Sequence, residues 1–385
     1  MMSIIVRYLH RDEYDRAAEF LDTHWTKNHI FVLSKPLFDW SYDRADVWDQ
    51  DSYSVAAGFD GEDVVGFMGA IPYVFNRYGK SELALWMTNW MVANTHRGMH
   101  LGSKLYEIFQ RDPFKIITGF GLNERVAEIY RSWNWHVVDN IPRHVCFIKE
   151  FEEDSSSIIT SVHLDLSASQ VKQMVKFYTI DQNQFLCSDY DILARNELLK
   201  IWDDKGWNIF SRKSVGAARD AHYLKWRYLH HPIYRYNIIS IKDDSGVGIC
   251  IWRLEKIKTS IMNSKELSFA RVVEFIPSSL GNAKALLFEL TNVLKKSDIN
   301  GFDYFGYHGV IGNWLISHGV KQIDDHPDGV FIPFLFQPLS SEKAQIRSMQ
   351  SIDLPPPNYP LRLSCDWYWT KSDSDQDRPN RLPDV

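Results

Sequence analysis

The chain repeats itself once, at an offset of about 185 residues, and this limits the folds open to it more than any other feature. "ERVAEIYRSWNWHVVDNIPRHVCFI", from Glu124, and "GNWLISHGVKQIDDHPDGVFIPF", from Gly312, both read as helix, turn, strand, proline, strand. Asp139 aligns with Asp324 and Pro142 with Pro327 at a shift of 185. Upstream, Trp40 in "LFDWSY" matches Trp226 in "YLKWRY" at 186, and Glu82 in "ELALWMTNWMV" matches Glu266 in "ELSFARVVEFI" at 184. Solenoid repeats have periods of roughly 20–50 residues, so this is a duplicated domain rather than an array. At 385 residues the chain is long enough for each copy to bury its own core.

In the first copy, "SIIVRYL" reads as a strand and "RDEYDRAAEFLDTHW" as an amphipathic helix. "SYSVAAGF", "VVGFMGAIPYVF" and "ELALWMTNWMVA" read as strands, the first two joined by the turn "DGED". A glycine-containing loop and a helix follow, then the strand "FKIITGF", the helix "NERVAEIYRSW" and the strands "HVVD" and "HVCFIKE". The second copy repeats this order through "YNIISIK", "GVGICIWRLE", "ELSFARVVEFI", the helix "NAKALLFELTNVLKK" and "GFDYFGY". The expectation is an α+β fold occurring twice, each copy a mixed β-sheet flanked by helices. The acidic, serine-rich "EEDSSS" (Glu152–Ser157) marks the junction. That division gives a first domain over 1–151, a second over 158–345 and an extension over 346–385 entered through the coil-like "LPPPNYPLR".

A net charge of −6 argues against a general nucleic-acid binder, which needs a basic face to neutralise phosphates. The start, "MMSIIVRYLHRDEYDRAAEF", has its apolar run broken by Arg7 and His10, unlike a secretory signal, and no window approaches a membrane span. Cys146, Cys187, Cys250 and Cys365 are scattered with no metal-ligand spacing, as expected of reduced thiols in the cytoplasm without a metal site. Aromatic residues are 14%, with 14 Trp, an excess that suits a core but also stacking on sugar or base rings.

The segment "MVANTHRGMHLGSKLYEIF" runs from a strand through a glycine-punctuated turn into a helix. Backbone N–H groups exposed at a helix start form an anion site, and Gly98 and Gly102 allow close approach of a pyrophosphate. A plain helix with a flexible entry reads equally well from the glycines alone. The surroundings carry more. "RGMHLG" resembles motif A of the GNAT acyltransferases, [QR]-x-x-G-x-[GA], with Arg97 first, His100 in place of the middle glycine and Gly102 last. "GLNERVAEIYRSWNW" is similar to that family's second signature through Asn123, Ala127 and Tyr130, with Asn134-Trp135 in place of Gly-Phe. The resemblance covers residues 1–150, and the second copy echoes it more faintly, with "IPSSLGNAKAL" in place of the loop.

That resemblance implies acyl-coenzyme A as cosubstrate, its diphosphate held by Arg97, Gly98, Met99, His100, Gly102 and Ser103, with Asn123 nearby and the pantetheine arm along Met91 and Val92. It implies Tyr130 as the general acid that protonates the leaving thiolate. The general base is not evident: many relatives carry a carboxylate on the fourth strand, but its inward positions here read Trp86, Thr88 and Trp90, or Leu85, Met87 and Asn89. His100, His144, Glu274, Asp303 and His308 are the alternatives, with His100 and Glu274 preferred. The closing "DWYWTKSDSDQDRPN" reads either as a polar tail or as part of the site. It looks like a segment of tandem GNAT-like proteins from surface-polysaccharide clusters. On that reading Asp375, Asp377 and Arg378, with Trp226 and Arg227, meet a nucleotide-linked amino sugar. The expected function is coenzyme A-dependent N-acylation of such a sugar, with an acetyl or larger acyl group such as 3-hydroxybutyryl. Two alternatives stand beside it: an aminoacyl-tRNA-dependent peptidoglycan transferase, and a non-catalytic acyl-CoA-binding module. Oligomeric state is left open.

Overall fold

The computed structural model describes residues 4–48, 51–110, 113–114, 116–133, 135–138, 141–162, 166–185, 189–257, 267–323, 348–352, 365–379 and 382. The first half begins with β1 (Ile5–His10), helices α1 (Tyr14–His24), α2 (Ile30–Leu33) and α3 (Lys35–Tyr42), and strands β2 (Ser52–Asp60), β3 (Asp63–Arg77) and β4 (Lys80–Val92). It continues through α4 (Leu101–Glu107), β5 (Ile116–Phe120), α5 (Glu124–Ser132), β6 (His136–Val138) and β7 (Arg143–Ile148). Next come α6 (Glu152–Val162), α7 (Ala168–Tyr178), β8 (Thr179–Ile180), β9 (Asp191–Ile192), α8 (Arg195–Trp202), α9 (Asn208–Ser211), β10 (Val215–Ala217) and α10 (Ala221–Leu224). The second half then repeats the order of the first with β11 (Asn237–Asp243), β12 (Gly246–Ile257), β13 (Leu267–Ile276), α11 (Leu280–Lys296), β14 (Gly301–Tyr307), α12 (Gly309–Ser317) and β15 (Lys321–Gln322). The chain closes with β16 (Ser348–Ile352) and β17 (Trp367–Thr370).

Both halves use one plan. Strands β2, β3 and β4 are antiparallel and β5 runs parallel to β4; β11, β12, β13 and β14 do the same. Beyond that point the halves exchange strands. β16 lies between β5 and β6 in the first sheet, while β7 pairs with β14 on one side and with β15 and β8 on the other in the second. The division expected at residue 151 therefore does not separate the sheets, since β7 precedes it in the chain and lies in the second sheet. Nor is "EEDSSS" a linker: it forms the first turns of α6, where three acidic residues favour the helix N-terminus. Alternation of apolar residues identifies a strand but not the sheet it joins, so the exchange leaves no mark in the pattern. The repeat positions Asp139, Asp324 and Pro327 lie outside the described residues.

Trp40 of α3 and Trp226, matched in the repeat, meet across the halves. Their rings stack at 4.8 Å, and each indole N–H donates to the other's carbonyl, at 3.1 and 3.3 Å. Pro72 falls on β3 past the end of the β2 ladder at Gly69 and before β10 joins at Phe75, so its missing N–H costs no ladder bond. Leu101 and Leu105 of α4 seat directly over Gly58 and Gly66, which holds the start of α4 against the sheet. Among the described residues no helix is long and apolar enough to cross a membrane.

Burial holds four imidazoles neutral: His29 and His231 are pushed down to about 3, and His144 and His308 to about 4. An unfolded chain takes up these protons near pH 6.5, before the folded one does, so stability is present above that pH and is lost as pH falls towards 4. Asp373, raised to about 6 by burial, acts in the opposite sense for one proton. Urea unfolding should thus give a clearly lower midpoint at pH 5 than at pH 7; equal midpoints would contradict neutral burial of these rings.

Candidate active site

Three pieces of chain converge where β4 and β5 end. The parallel ladder between them stops at Met87 and Gly119, and the left-handed turn at Gly121 (φ +81°) carries β5 away. On its other edge β4 stays paired with β3 as far as Val92, through a bulge at Asn89 (φ +44°). Beyond Met87, β4 therefore has no β5 partner, and the two strands form an open fork whose β4 arm includes Met91 and Val92. Helices α4 and α5 both start at this end of the sheet.

The loop entering α4 has the geometry of an anion cradle. Gly98 adopts φ +82° and His100 φ +57°, ψ 17°, so the turn does require a left-handed residue where a histidine replaces glycine. Among the described residues, the backbone N–H groups of Gly98 to Ser103 donate to no protein acceptor; the first bonded amide is Lys104, to His100 O at 3.2 Å. Met99 is exposed, and Ser103 Oγ donates to His100 O at 2.9 Å. Arg97 folds back on the fork, donating through Nε to Val92 O at 3.4 Å. Gly102 has a second role, since a Cβ there stands 3.1 Å from Trp90 Cζ2. Asn123 is the N-cap of α5, its Oδ1 accepting from Val126 N at 2.9 Å, so its side-chain oxygen is committed to the helix.

Tyr130 packs against the fork through Trp90, at 6.0 Å between rings, and is boxed by Tyr106, Trp133 and Trp135. It is 1% exposed, and burial raises its phenol far above the usual value, so it stands protonated, its hydroxyl without a hydrogen bond among the described residues. Burial thus keeps the Tyr130 proton on its oxygen at neutral pH.

The C-terminal segment is an ordered part of the interior. Trp367, Tyr368 and Trp369 are buried, and β17 pairs with β10 and β14. The turn after it reaches both arms of the first fork: Gln376 Nε2 donates to Phe120 O at 3.2 Å, and Arg378 Nη1 donates to Asn89 Oδ1 at 2.8 Å. Arg378 also pairs with Asp375 at 2.8 Å, which brings a carboxylate to the bulge of β4. Asn89 donates onward to Tyr42 Oη, itself bonded to Thr88 Oγ1. Asn89 and Gln376 were not singled out from the sequence. An Asn among aromatic and aliphatic strand residues is the signal that could have marked the bulge.

Several expected roles are corrected. Glu274 is no accessible base: it is fully buried and accepts from Arg219 Nε, Tyr228 Oη, Ser372 Oγ and Tyr368 Oη. Asp303 is held by Arg143 and Arg271, and His144 is buried in β7. His308 N-caps α12 through Nδ1 in the second half. His100 shapes the loop and is exposed. Asp377 is spent on Arg253 and Tyr236, Trp226 on Trp40, and Arg227 is buried with its guanidinium over Trp40 and bonded to Ser374 O. Arg227, Asp375, Asp377 and Arg378 do line one cavity, but its roughly 10 Å³ holds about one water, not a sugar ring.

No protein-family model matches the sequence, and neither does any curated protein. Among solved structures the chain is similar to a GCN5-related N-acetyltransferase from Kribbella flavida, with a TM-score of 0.53 and 10% identity over 90% of this chain and 70% of that one. It is also similar to Saccharomyces cerevisiae N-myristoyltransferase with bound myristoyl-CoA, with a TM-score of 0.51 and 9% identity over 91% and 83% of the two chains. A probable N-acyltransferase from Enterococcus faecalis V583 aligns at 0.49 and 9% identity, this chain spanning 65% of its length. At these identities the shared property is the fold alone.

The loop makes a stability prediction. A left-handed side chain costs about 1–2 kcal/mol, offset in part when glycine replaces it by added freedom in the unfolded chain. His100→Gly should cost nothing and stabilise by up to about 1 kcal/mol, whereas Gly98→Val should destabilise by about 1–2 kcal/mol in urea melts. The reverse ordering would contradict the loop geometry.

Proposed function

We propose that this chain is an acyl-CoA-dependent N-acyltransferase. The observation that carries the reading is the run of six uncommitted amides, Gly98 to Ser103, beside the fork between β4 and β5. Those amides and Arg97 hold the diphosphate of the acyl-CoA, and the free backbone edge around Met91 and Val92 takes the pantetheine arm and polarises the thioester carbonyl. An amine attacks that carbonyl, the C–N bond forms and the C–S bond breaks. The leaving thiolate takes the Tyr130 proton, which solvent later restores. Asp375, set at the bulge of β4 by Arg378, receives the amine's proton directly or through a water.

For the acceptor, the resemblance in the closing segment supports a nucleotide-linked amino sugar used in surface-polysaccharide assembly. Asp375 and Arg378 are the side chains at the fork left to meet it, and the water-sized cavity beside them must widen for a sugar to enter. The acyl group is acetyl or a larger one.

Thiol release from acetyl-CoA and longer acyl-CoAs with a panel of amines, including nucleotide-linked amino sugars, tests the reading. Tyr130→Phe should lower kcat by about 10²-fold with KM for acyl-CoA nearly unchanged, and Asp375→Asn should depress kcat/KM most at low pH, where the amine arrives charged. Wild-type turnover in Tyr130→Phe would remove that residue from the chemistry. No thiol release with any amine would leave a binding module.

A further inference from the structure

The second half contains a fork like the first, but its interior is already occupied. The ladder between β13 and β14 ends at Val272 and Tyr304, and β17 fills the gap, pairing Thr370 with Gly306 and Trp369 with Tyr307. In the loop before α11, three amides are bonded within the loop itself. Ser278 N donates to Asn282 Oδ1, Asn282 N to Ser279 Oγ and Ala283 N to Ser279 O. Outside the filled fork, between the end of β13, the start of α12 and α9, lies a cavity of about 420 Å³, within the range of small-ligand sites.

Its walls are apolar, with Phe210, Ile276, Val310 and Trp314 among the lining residues, and Val310 is 41% exposed. An open apolar cavity of this size is costly to leave in water. Two polar groups on the lining favour an acceptor. Lys213 has no ion-pair partner among the described residues. His308 uses Nδ1 as the acceptor for Ile311 N, which leaves its neutral ring with the proton on Nε2, a buried donor that finds no acceptor among the described residues. The lining carboxylate, Asp366, already accepts from Tyr78 Oη and Cys365 Sγ.

We infer that this cavity is a second ligand site, separate from the acyl-CoA fork, that takes a small anionic amphiphile: an aliphatic chain in the pocket and a carboxylate facing Lys213. The inference stands on the second half alone and does not depend on the catalytic reading of the first. Titration calorimetry of the full chain with decanoate should show one saturable site, present equally with saturating coenzyme A. Val310→Trp, which fills the mouth, and Lys213→Glu, which reverses the exposed charge, should each weaken it about tenfold or more while thermal melting stays near wild type. Decylamine, of equal length and opposite charge, should bind at least tenfold more weakly. The inference is overturned by the absence of saturable binding up to about 1 mM, by displacement with coenzyme A, by equal affinity for decylamine, or by affinity that Lys213→Glu leaves unchanged.

Discussion

The buried guanidinium of Arg219 joins the parts on which the site depends. It is wholly inaccessible and bonds Glu274 of β13 through Nε, Ala217 O of β10 through Nη1, and Asp373 of the C-terminal turn through Nη2. Removing one partner from such a cluster leaves uncompensated buried charge, at a cost of about 3–5 kcal/mol. β10 in turn pairs with β3 of the first half, and the turn anchored at Asp373 continues directly to Gln376 and Arg378. A charge cluster in the second half thereby sets the side chains that touch the fork of the first.

The two halves, built on one plan, carry unequal forks. In the first half the β4–β5 gap is open and the loop before α4 keeps its amides free. In the second, β17 fills the gap, and Ser279 and Asn282 accept from three amides around the start of α11. The stacked, reciprocally bonded Trp40 and Trp226 meet symmetrically at the contact between halves, worth about 0.5–1.5 kcal/mol beyond their burial. Strand exchange through β7 and β16 binds each sheet to the other half, so neither sheet is complete without the partner half's strand.

Much of this was legible in the sequence because it is local. Period-2 and period-3.6 patterning located the strands and helices, the offset near 185 disclosed the doubling, and the glycine-punctuated turn marked the loop. The rest depends on long-range placement. Nothing in "HVCFIKE" says that β7 joins the far sheet. Glu274 reads as a candidate base until Arg219, Tyr228, Tyr368 and Ser372, from two distant stretches, are seen around it. The composition of "KSDSDQDRPN" is that of a solvated tail, and only partners such as Arg219, Arg253 and Asn89 make its burial affordable. Asp375 was legible as a polar residue near substrate, but its place at the bulge of β4 required the fold.

The central claim is that the amides from Gly98 to Ser103 hold the diphosphate of an acyl-CoA. A crystal structure of the chain grown with coenzyme A tests it most directly. The account predicts diphosphate oxygens about 3 Å from several of those amide nitrogens, with the pantetheine arm entering between β4 and β5. Coenzyme A bound elsewhere, with the loop amides turned to water or drawn into a longer α4, would contradict it.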